Sequence, residues 1–312
     1  MAMRKILVTG GSGFIASCLA EKLIEDPNNY VVIVDNLLTG SADKLPDSSK
    51  KNWKFIKADV NDFRDISSVM MAYNFDCLYH YAAVVGVKRT TENPVMVLGD
   101  IQGIRNVLDL CKNSGVQRVF FSSSSEVYGE PFEHPQNENT TPLNSRLPYA
   151  VVKNVGEAFL RSYQREYDLD YTIFRFFNTY GPKQSTDFVM SKFIRAAIKG
   201  KDITIYGDGS QTRTFCFYKD NVEACVNAYT KDMFVNDTVN IGNDQEITIL
   251  ELAETIIRLT NSSSNIVFLP PLKEGDMKRR KPDISNMRKL LGRDLTPLEE
   301  GIKETIDKGI FL

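Results

Sequence analysis

The chain has 312 residues, 42% of them apolar, which is enough to fill one large core or two modest ones. Its 38 lysines and arginines nearly balance 40 aspartates and glutamates, and the net charge of −2 comes without a basic stripe. The sequence therefore contains no concentration of positive charge that would bind a nucleic acid. The apolar runs reach only strand length, so we expect no membrane span either.

The five cysteines and two histidines restrict the chemistry further. The cysteines are odd in number and scattered, and no Cys-x-x-Cys occurs, so the sequence predicts neither a metal site nor a disulfide framework. The first apolar run gives way to glycines after a few residues, unlike a signal peptide. We therefore expect a cytoplasmic protein without a bound metal.

The N-terminal segment predicts a strand, a glycine turn and a helix. The apolar run of residues 5–8 ends in a glycine-rich turn, and an apolar-periodic stretch follows. In such a turn Gly10 permits a tight reversal, and Gly13 lets backbone N–H groups approach a pyrophosphate at the helix N-terminus. Ala16 stands where a third glycine is usual and still allows close packing of the helix on the strand.

A second apolar run, residues 31–34, ends in Asp35, roughly 20 residues beyond the turn, the usual distance for a ribose-binding acid. A carboxylate at this place accepts hydrogen bonds from the adenosine ribose and repels a 2′-phosphate. No Arg or Lys follows Asp35 immediately. The pattern therefore predicts NAD rather than NADP as the cofactor.

Strand-like runs alternate with helical patterns up to residue 175. The predicted strands are residues 5–8, 31–34, 53–56, 77–79, 119–121 and 171–175. Such alternation predicts an α/β fold with a doubly wound parallel sheet of the Rossmann type, whose ligands lie at the carboxyl ends of the strands. After Gly181 and Pro182 the regular alternation of strand-like and helical segments ends, and the sequence pattern does not require the sheet to continue.

Tyr149 and Lys153 form a candidate reactive pair. Four residues apart on a predicted helix, they share one face, where the ammonium lowers the pKa of the phenol and readies it to pass a proton near neutral pH. A serine hydroxyl from the preceding strand end, residues 122–125, would hold the substrate oxygen against that phenol. We interpret Ser122 and Ser123 as polar strand-end residues that satisfy backbone groups.

Ordered motifs along nearly the whole chain resemble the extended short-chain dehydrogenase/reductase family, and within it the nucleotide-sugar epimerases, dehydratases and decarboxylases. The matching segments are residues 9–16, 35–36, 59–60, 80–83, 122–129, 149–153, 175–182, 206–213 and 280–283. The resemblance implies transient oxidation of a UDP-sugar at C4 with bound NAD. It also implies an NAD-binding domain over residues 1–178, joined by part of 215–245, and a smaller, discontinuous α/β substrate domain over 179–312.

The motif positions assign the site residues. The catalytic set that the resemblance implies is Ser124, Glu126, Tyr149 and Lys153. The cofactor-binding set is Gly10, Gly13, Phe14, Ile15, Asp35, Asn36, Asp59, Val60, Tyr81, Ala82 and Ala83, together with Tyr149 and Lys153. The substrate-binding set is Ser125, Asn178, Arg213 and Arg280. Forked guanidinium donors in the last set suit a diphosphate.

The helical patterns around residues 97–112 and 149–167 carry apolar residues on more than one face, more than packing on one side of a sheet needs. These residues are Val107, Leu108, Leu110, Val151, Val152, Val155, Phe159 and Leu160. The resemblance implies a homodimer through a four-helix bundle formed by these two helices of each copy.

The second half of the reaction stays open at the level of sequence. Glu126 suits decarboxylation or elimination of water beside a transient ketone, or is only a solvated strand-end charge. Segments 134–136 and 279–284 resemble the UDP-glucuronate decarboxylases, whereas residues 84–87 depart from them and residues 145–148 are closer to the epimerase form. The alternatives are a UDP-hexose 4-epimerase or a non-catalytic NAD-sensing protein. Arg280 would face a substrate carboxylate or the pyrophosphate, and Asp100 replaces the asparagine of most relatives.

Overall fold

A computed structural model of the protein describes residues 3–130, 132–271 and 280–309. The strands in this part of the chain are β1 (Arg4–Thr9), β2 (Asn29–Asp35), β3 (Trp53–Lys57), β4 (Cys77–His80), β5 (Arg118–Ser124), β6 (Asp170–Phe176), β7 (Thr179–Tyr180), β8 (Ile203–Tyr206), β9 (Thr212–Thr214), β10 (Cys216–Phe217), β11 (Asp237–Ile241), β12 (Glu246–Thr248) and β13 (Ile266–Leu269).

The helices are α1 (Phe14–Leu23), α2 (Phe63–Ala72), α3 (Val87–Glu92), α4 (Pro94–Ser114), α5 (Pro148–Tyr167), α6 (Val189–Ile198), α7 (Tyr218–Thr230), α8 (Ile249–Thr260), α9 (Ser285–Leu291) and α10 (Leu298–Lys308). Short 3₁₀ turns cover Ala42–Lys44 and Ser125–Tyr128. The two longest helices, α4 and α5, each begin at a proline, whose fixed φ suits the first helical position. Helix α4 stops at Gly115, which has a left-handed φ of +77°.

The chain divides into two compact units. The first comprises the residues up to Gly129, Leu143–Phe176 and Val222–Val239. The second comprises Glu130–Pro142, Phe177–Asn221 and the chain from Asn240 onward.

The first unit is built on a seven-stranded sheet of order β11-β6-β5-β4-β1-β2-β3. Strands β1 to β6 pair in parallel. The order reverses between β1 and β4, and in doubly wound sheets ligands bind in the crevice at such a reversal. The six predicted strands and the α/β fold with a doubly wound sheet are confirmed.

The edge strand β11 is not among the strands that the sequence pattern predicts, since that pattern does not require the sheet to continue after Pro182. The sheet does continue: β11 lies next to β6, within the part of residues 215–245 that the family resemblance assigns to the first domain. Its sequence, Asp-Thr-Val-Asn-Ile, lacks the continuous apolar run that identifies a strand covered on both faces.

The burial of the other strands in the core of the first unit explains why the sequence predicts them. Residues 6–8 of β1 and 31–34 of β2 are completely buried, as expected for parallel strands with helices on their faces. Helices α2, α4 and α5 contribute apolar side chains to the same core, among them Ile66, Val107 and Leu160.

The second unit contains three two-stranded sheets and its own apolar core. Strand β7 pairs with β10, β9 with β12 and β8 with β13. The core side chains come chiefly from α6 and α8, including Phe193, Ile194 and Leu252. Helix α8 starts with a capping box in which Thr248 and Glu251 satisfy each other's backbone N–H groups. In the described part of the chain, no helix is long and apolar enough to cross a bilayer.

Candidate active site

The turn between β1 and α1 has the shape of a phosphate cradle. Gly10 adopts a left-handed φ of +68°, and a Cβ placed on it would lie 2.6 Å from the backbone N and Cα of Ala82. Gly13 is the N-cap of α1 and brings no capping side chain to the helix N-terminus. Phe14 and Ile15 begin the helix and are partly buried. Backbone N–H groups and the helix dipole therefore favour an anion at this turn.

Asp35, at the end of β2, is held against this turn. Its Oδ2 accepts a hydrogen bond from the N–H of Ser12 at 3.0 Å, and its Oδ1 accepts one from the N–H of Leu37 at 2.7 Å. An ionised carboxylate offers about four acceptor positions, so two remain for ribose hydroxyls. Next to it, Asn36 donates a hydrogen bond from Nδ2 to Oδ2 of Asp59 at 3.0 Å. The glycine cradle and this fixed acid fit a dinucleotide such as NAD.

Two residues of the predicted cofactor set have side chains that point into the core. Tyr81 packs edge-on against Tyr79 and Phe176, with ring centroids 5.9 and 5.5 Å away. Val60 belongs to the apolar core of the first unit. Only the backbone of Tyr81 and Val60 can therefore contact a bound cofactor. Ala82 does so most directly, because its backbone borders Gly10.

Ser124, Glu126 and Tyr149 come together where β5 ends and α5 begins. The Oγ of Ser124 accepts a hydrogen bond from the N–H of Glu126 at 3.2 Å and so caps the short 3₁₀ turn. The side chain of Ser124 also acts on the phenol of Tyr149, the second residue of α5. The strand end therefore lies next to the predicted acid–base residue.

Lys153 lies one turn further along α5 and is 2% exposed. Its Nζ donates a hydrogen bond to Oγ of Ser122 at 3.4 Å and lies 5.7 Å from the centroid of the Tyr149 ring. Burial lowers the pKa of Lys153 to about 8, and the charge of Asp100 opposes that change. Ser122 also donates a hydrogen bond from Oγ to the carbonyl of His80 at 3.4 Å, as expected of a polar strand-end residue, so its contact with Lys153 comes in addition.

The pKa of Tyr149 departs from its ordinary value in the direction opposite to the one predicted. Burial raises the pKa of this phenol, and the negative charge of Glu126 raises it further. The side chain of Ser124 acts in the other direction but does not compensate. Proximity to Lys153 alone therefore does not make Tyr149 a base at neutral pH, and further positive charge is needed.

A buried ion pair, which the sequence did not predict, holds together the elements that carry the candidate active site. Arg175 of β6 donates two hydrogen bonds to the carboxylate of Glu157 on α5, at 2.9 and 2.8 Å. The hydroxyl of Ser123 donates to the same carboxylate at 2.6 Å, and Arg175 also donates to the hydroxyl oxygen of Tyr128 at 2.9 Å. These bonds join β5, β6, α5 and the 3₁₀ turn around Ser124. The available signal was the spacing of Glu157, eight residues after Tyr149 on the same helix face.

The predicted substrate residues fall in both units. Ser125 is buried in the 3₁₀ turn of the first unit. In the second unit, Asn178 donates a hydrogen bond from Nδ2 to the carbonyl of Thr214 at 3.3 Å, which puts it beside the strand that carries Arg213. Arg280 is partly buried and precedes Pro282, which forms a bridge with Gln136. Arg279, part of the decarboxylase-like segment, lies outside the described residues.

Comparison with known proteins decides the family. Residues 6–242 match the sequence profile of the NAD dependent epimerase/dehydratase family. The chain belongs to this family. The family, the enzyme class and NAD as cofactor, all predicted from the sequence, are thereby confirmed.

Individual members of the family are similar over nearly the whole chain. UDP-glucuronic acid decarboxylase 3 of Arabidopsis thaliana is 37% identical over 96% of this chain and 86% of its own. A putative UDP-glucose 4-epimerase of Methanocaldococcus jannaschii is 35% identical over 97% of both chains. The crystal structure of UDP-glucose 4-epimerase from Thermotoga maritima with UDP-glucose superimposes with a TM-score of 0.90 at 30% identity, covering 97% of this chain and 98% of that one.

Proposed function

We propose that this enzyme transiently oxidises the C4 hydroxyl of a UDP-sugar, with Tyr149 as the acid–base residue. The observation that carries the proposal is the position of Tyr149 and Lys153 on α5 beside the carboxyl end of β5, where the buried ammonium lies 5.7 Å from the centroid of the Tyr149 ring and donates a hydrogen bond to Ser122. Ser124 holds the oxygen of the sugar hydroxyl, and Tyr149 takes its proton. NAD, held by the glycine turn and Asp35, would supply the acceptor for the C4 hydrogen and the positive charge of its oxidised ring.

Charge explains how the phenol gives up its proton. Burial and Glu126 keep the pKa of Tyr149 high, so the phenolate forms only where positive charge surrounds it. With a pKa of about 8, Lys153 is still an ammonium at neutral pH and supplies part of that charge. The site residues therefore favour proton abstraction in the loaded enzyme rather than in the empty one.

For the second half-reaction we propose decarboxylation of UDP-glucuronate. A ketone at C4 weakens the C5–C6 bond: the carboxylate carbon leaves as CO₂, and the electron pair stays on C5, delocalised onto the C4 oxygen. We assign the proton that C5 then needs to Glu126, which lies partly buried in the turn that Ser124 caps and would take up a proton from solvent and deliver it to C5. The curated relative with 37% identity and segments 134–136 and 280–284 support a uronic acid as substrate. We assign Arg280 to its carboxylate, as a forked donor.

A second candidate is 4-epimerisation of a UDP-hexose. It is favoured by the Thermotoga maritima 4-epimerase, whose structure contains UDP-glucose. In that reaction the ketone turns over and the C4 hydrogen returns to its other face. Neither reaction produces a net redox change.

The purified protein is incubated with UDP-glucuronate, UDP-glucose, UDP-N-acetylglucosamine and GDP-mannose, and the products are analysed by mass spectrometry. We expect loss of CO₂ from UDP-glucuronate. An unchanged mass with altered retention of UDP-glucose would select the epimerase, and loss of water would select a dehydratase. The Tyr149→Phe variant is the control, since it must be inactive with whichever sugar reacts.

We further propose that the protein is a homodimer in which α4 and α5 of each copy form a four-helix bundle. Of the apolar residues on these helices, Val107, Leu108 and Leu160 are already buried within one copy. Val151 and Val155 remain partly exposed on α5, and Val95 on α4 is 81% exposed. Burying such a stripe against a second copy is the usual outcome for helices of this kind.

We also propose a cytoplasmic location. All five cysteines are buried and unbridged, as is usual in a reducing compartment. Thiol titration of the protein denatured without reductant should find five reactive groups. A disulfide in protein purified from its own cells would contradict the proposal.

A further inference from the structure

The two segments that resemble the UDP-glucuronate decarboxylases pair with each other in the second unit. Gln136, from the first segment, is completely buried, and its N–H donates a hydrogen bond to the carbonyl of Lys281 at 2.7 Å. The N–H of Asp283 donates one to the carbonyl of Gln136 at 2.8 Å. Pro282 stands opposite Gln136 in this parallel bridge, where the middle residue uses no N–H, so a proline fits. The pairing therefore fixes the backbone directly after Arg280.

Side chains add a second connection between the two segments. Asn137 donates a hydrogen bond from Nδ2 to Oδ2 of Asp283 at 3.0 Å and accepts one at Oδ1 from the N–H of Asn139 at 2.9 Å. The Oδ1 of Asp283 accepts a hydrogen bond from the N–H of Ser285 at 2.9 Å. Hydrogen bonds with Ser285 hold the pKa of Asp283 below its ordinary value, so this carboxylate is charged at neutral pH. The contact between Asn137 and Asp283 is therefore a charge-assisted one.

Both segments are anchored to buried residues of the same unit. The carbonyl of Gln136 also accepts a hydrogen bond from Nδ2 of Asn240 at 3.0 Å, and the N–H of Asn240 donates to Oε1 of Glu138 at 2.8 Å. Pro282 packs closely on Gly242, where an added Cβ would lie 2.9 Å from the Cγ of the proline. The paired segments thus have little freedom to move apart.

We propose that Asn137 and Asp283 are positioning residues that hold Arg280 in place for the substrate. This role rests on the proposed function, which assigns Arg280 to the carboxylate of the sugar. An arginine gains most from two forked hydrogen bonds to a carboxylate when its backbone is already fixed, because ordering a free segment on binding costs entropy. The proposal also gives the first decarboxylase-like segment a function, since it holds the arginine of the second.

The test measures binding of UDP-glucuronate and UDP-glucose by calorimetry, in the Tyr149→Phe background so that neither sugar is consumed. Asn137→Asp keeps the acceptor for the N–H of Asn139 but places a second carboxylate against Asp283. We expect it to weaken binding of UDP-glucuronate by about tenfold, the effect of one hydrogen bond to a charged group, and to leave UDP-glucose almost unchanged. General loosening of the unit would weaken both sugars alike, so the ratio of the two affinities separates positioning from structural damage.

Three further variants complete the comparison. The double exchange of Asn137→Asp with Asp283→Asn re-forms the hydrogen bond with donor and acceptor reversed, and should restore most of the affinity ratio. Arg280→Gln is the reference and should change the ratio in the same direction as Asn137→Asp. Asn265→Asp makes the same substitution beside the exposed carboxylate of Asp202 in the same unit, and should change neither affinity.

Asn137→Ser is made in parallel in case the added charge prevents folding, because its hydroxyl still accepts from the N–H of Asn139 but does not reach Asp283. An unchanged ratio in the folded variants of Asn137, or a double exchange that does not restore it, would overturn the proposal. If Arg280→Gln weakens both sugars equally, Arg280 meets the pyrophosphate and its assignment in the proposed function fails. Asn137→Asp must then weaken both sugars and the double exchange restore both, and any other result refutes the positioning role as well.

Discussion

Lys153 places its ammonium 5.7 Å from the centroid of the Tyr149 ring, one helical turn away on α5. The Nζ of Lys153 donates a hydrogen bond to Ser122, whereas it is the side chain of Ser124 that acts on Tyr149. In the proposed function Lys153 acts on the phenol by its charge, and Ser124 holds the sugar oxygen against it. The two functions are thus assigned to different residues and can be separated by mutation.

Tyr149→Phe should reduce the rate of C4 oxidation by a factor of about 10² to 10⁴, the usual contribution of a general acid–base group. The ring and its packing remain, so folding and NAD binding should not change. The rate is measured as reduction of bound cofactor after mixing with the reacting nucleotide sugar. A matched control is Tyr163→Phe on the same helix, which removes a hydroxyl that donates to Asp109. Retention of more than about a hundredth of the wild-type rate would remove Tyr149 from this role.

Glu126→Gln should separate the two halves of the reaction. The amide keeps the shape of the side chain but can neither take up nor deliver a proton, so oxidation at C4 should proceed and the protonation of C5 in the second step should stall. Absorbance of the reduced nicotinamide should then rise and persist. Glu130→Gln, four residues away and exposed, serves as the control and should turn over normally. Normal turnover by Glu126→Gln would make Glu126 a solvated charge and favour the epimerase.

The fixed carboxylate of Asp35 predicts tighter binding of NAD than of NADP, because it repels a 2′-phosphate. Asp35→Asn should reduce that preference while keeping an acceptor for the N–H of Ser12 or Leu37. Both affinities are measured by calorimetry. Asp47→Asn, in an exposed loop, should leave the ratio unaltered. Equal or tighter binding of NADP by the wild type would contradict the role given to Asp35.

The buried side chain of His80 should make the free energy of unfolding fall in acid. Burial, with the charge of Lys153 as a smaller cause, lowers its pKa from 6.5 to about 3. Between these values the unfolded chain binds a proton that the folded chain does not, so the free energy of unfolding falls as the pH drops through this window. His80→Gln should flatten that dependence between about pH 6.5 and about pH 4.5, as measured by urea unfolding. His134→Gln alters the exposed histidine and should leave the slope intact; an equal slope in His80→Gln would show that other groups cause it.

Light scattering at micromolar concentration should give the mass of a dimer. Val155→Lys places a charge in the partly exposed stripe of α5 and should yield monomers, because burying an unpaired ammonium in an apolar interface is costly. Met71→Lys, at an exposed apolar position on α2, is the control outside the proposed bundle. A monomeric wild type would refute the assembly.

The strands and the placement of Tyr149 and Lys153 on one helix were predictable because their signals are local. A parallel strand covered on both faces is a short continuous apolar run, as in residues 31–34, and a spacing of four places Tyr149 and Lys153 on one helix face. Strand β11 has polar residues, such as Asn240, and its place beside β6 is set by tertiary structure.

The surroundings of the pair could not be predicted for the same reason. The pKa of Tyr149 depends on how deeply α5 buries it and on Glu126 from another element. Glu157 meets Arg175 across the space between α5 and β6. Sequence spacing places Tyr149 and Lys153 on one helix face, whereas tertiary packing determines their charge states.

Transient oxidation at C4 is tested most directly by a sugar nucleotide deuterated at that carbon, used with the enzyme as purified with its cofactor. The proposed function predicts slower turnover than with the protiated sugar, because the C4 hydrogen is transferred. It also predicts a product that keeps deuterium at C4, because the same hydrogen returns from bound cofactor. Equal rates together with loss of the label to solvent would contradict oxidation and reduction at C4 by Tyr149, Lys153 and NAD.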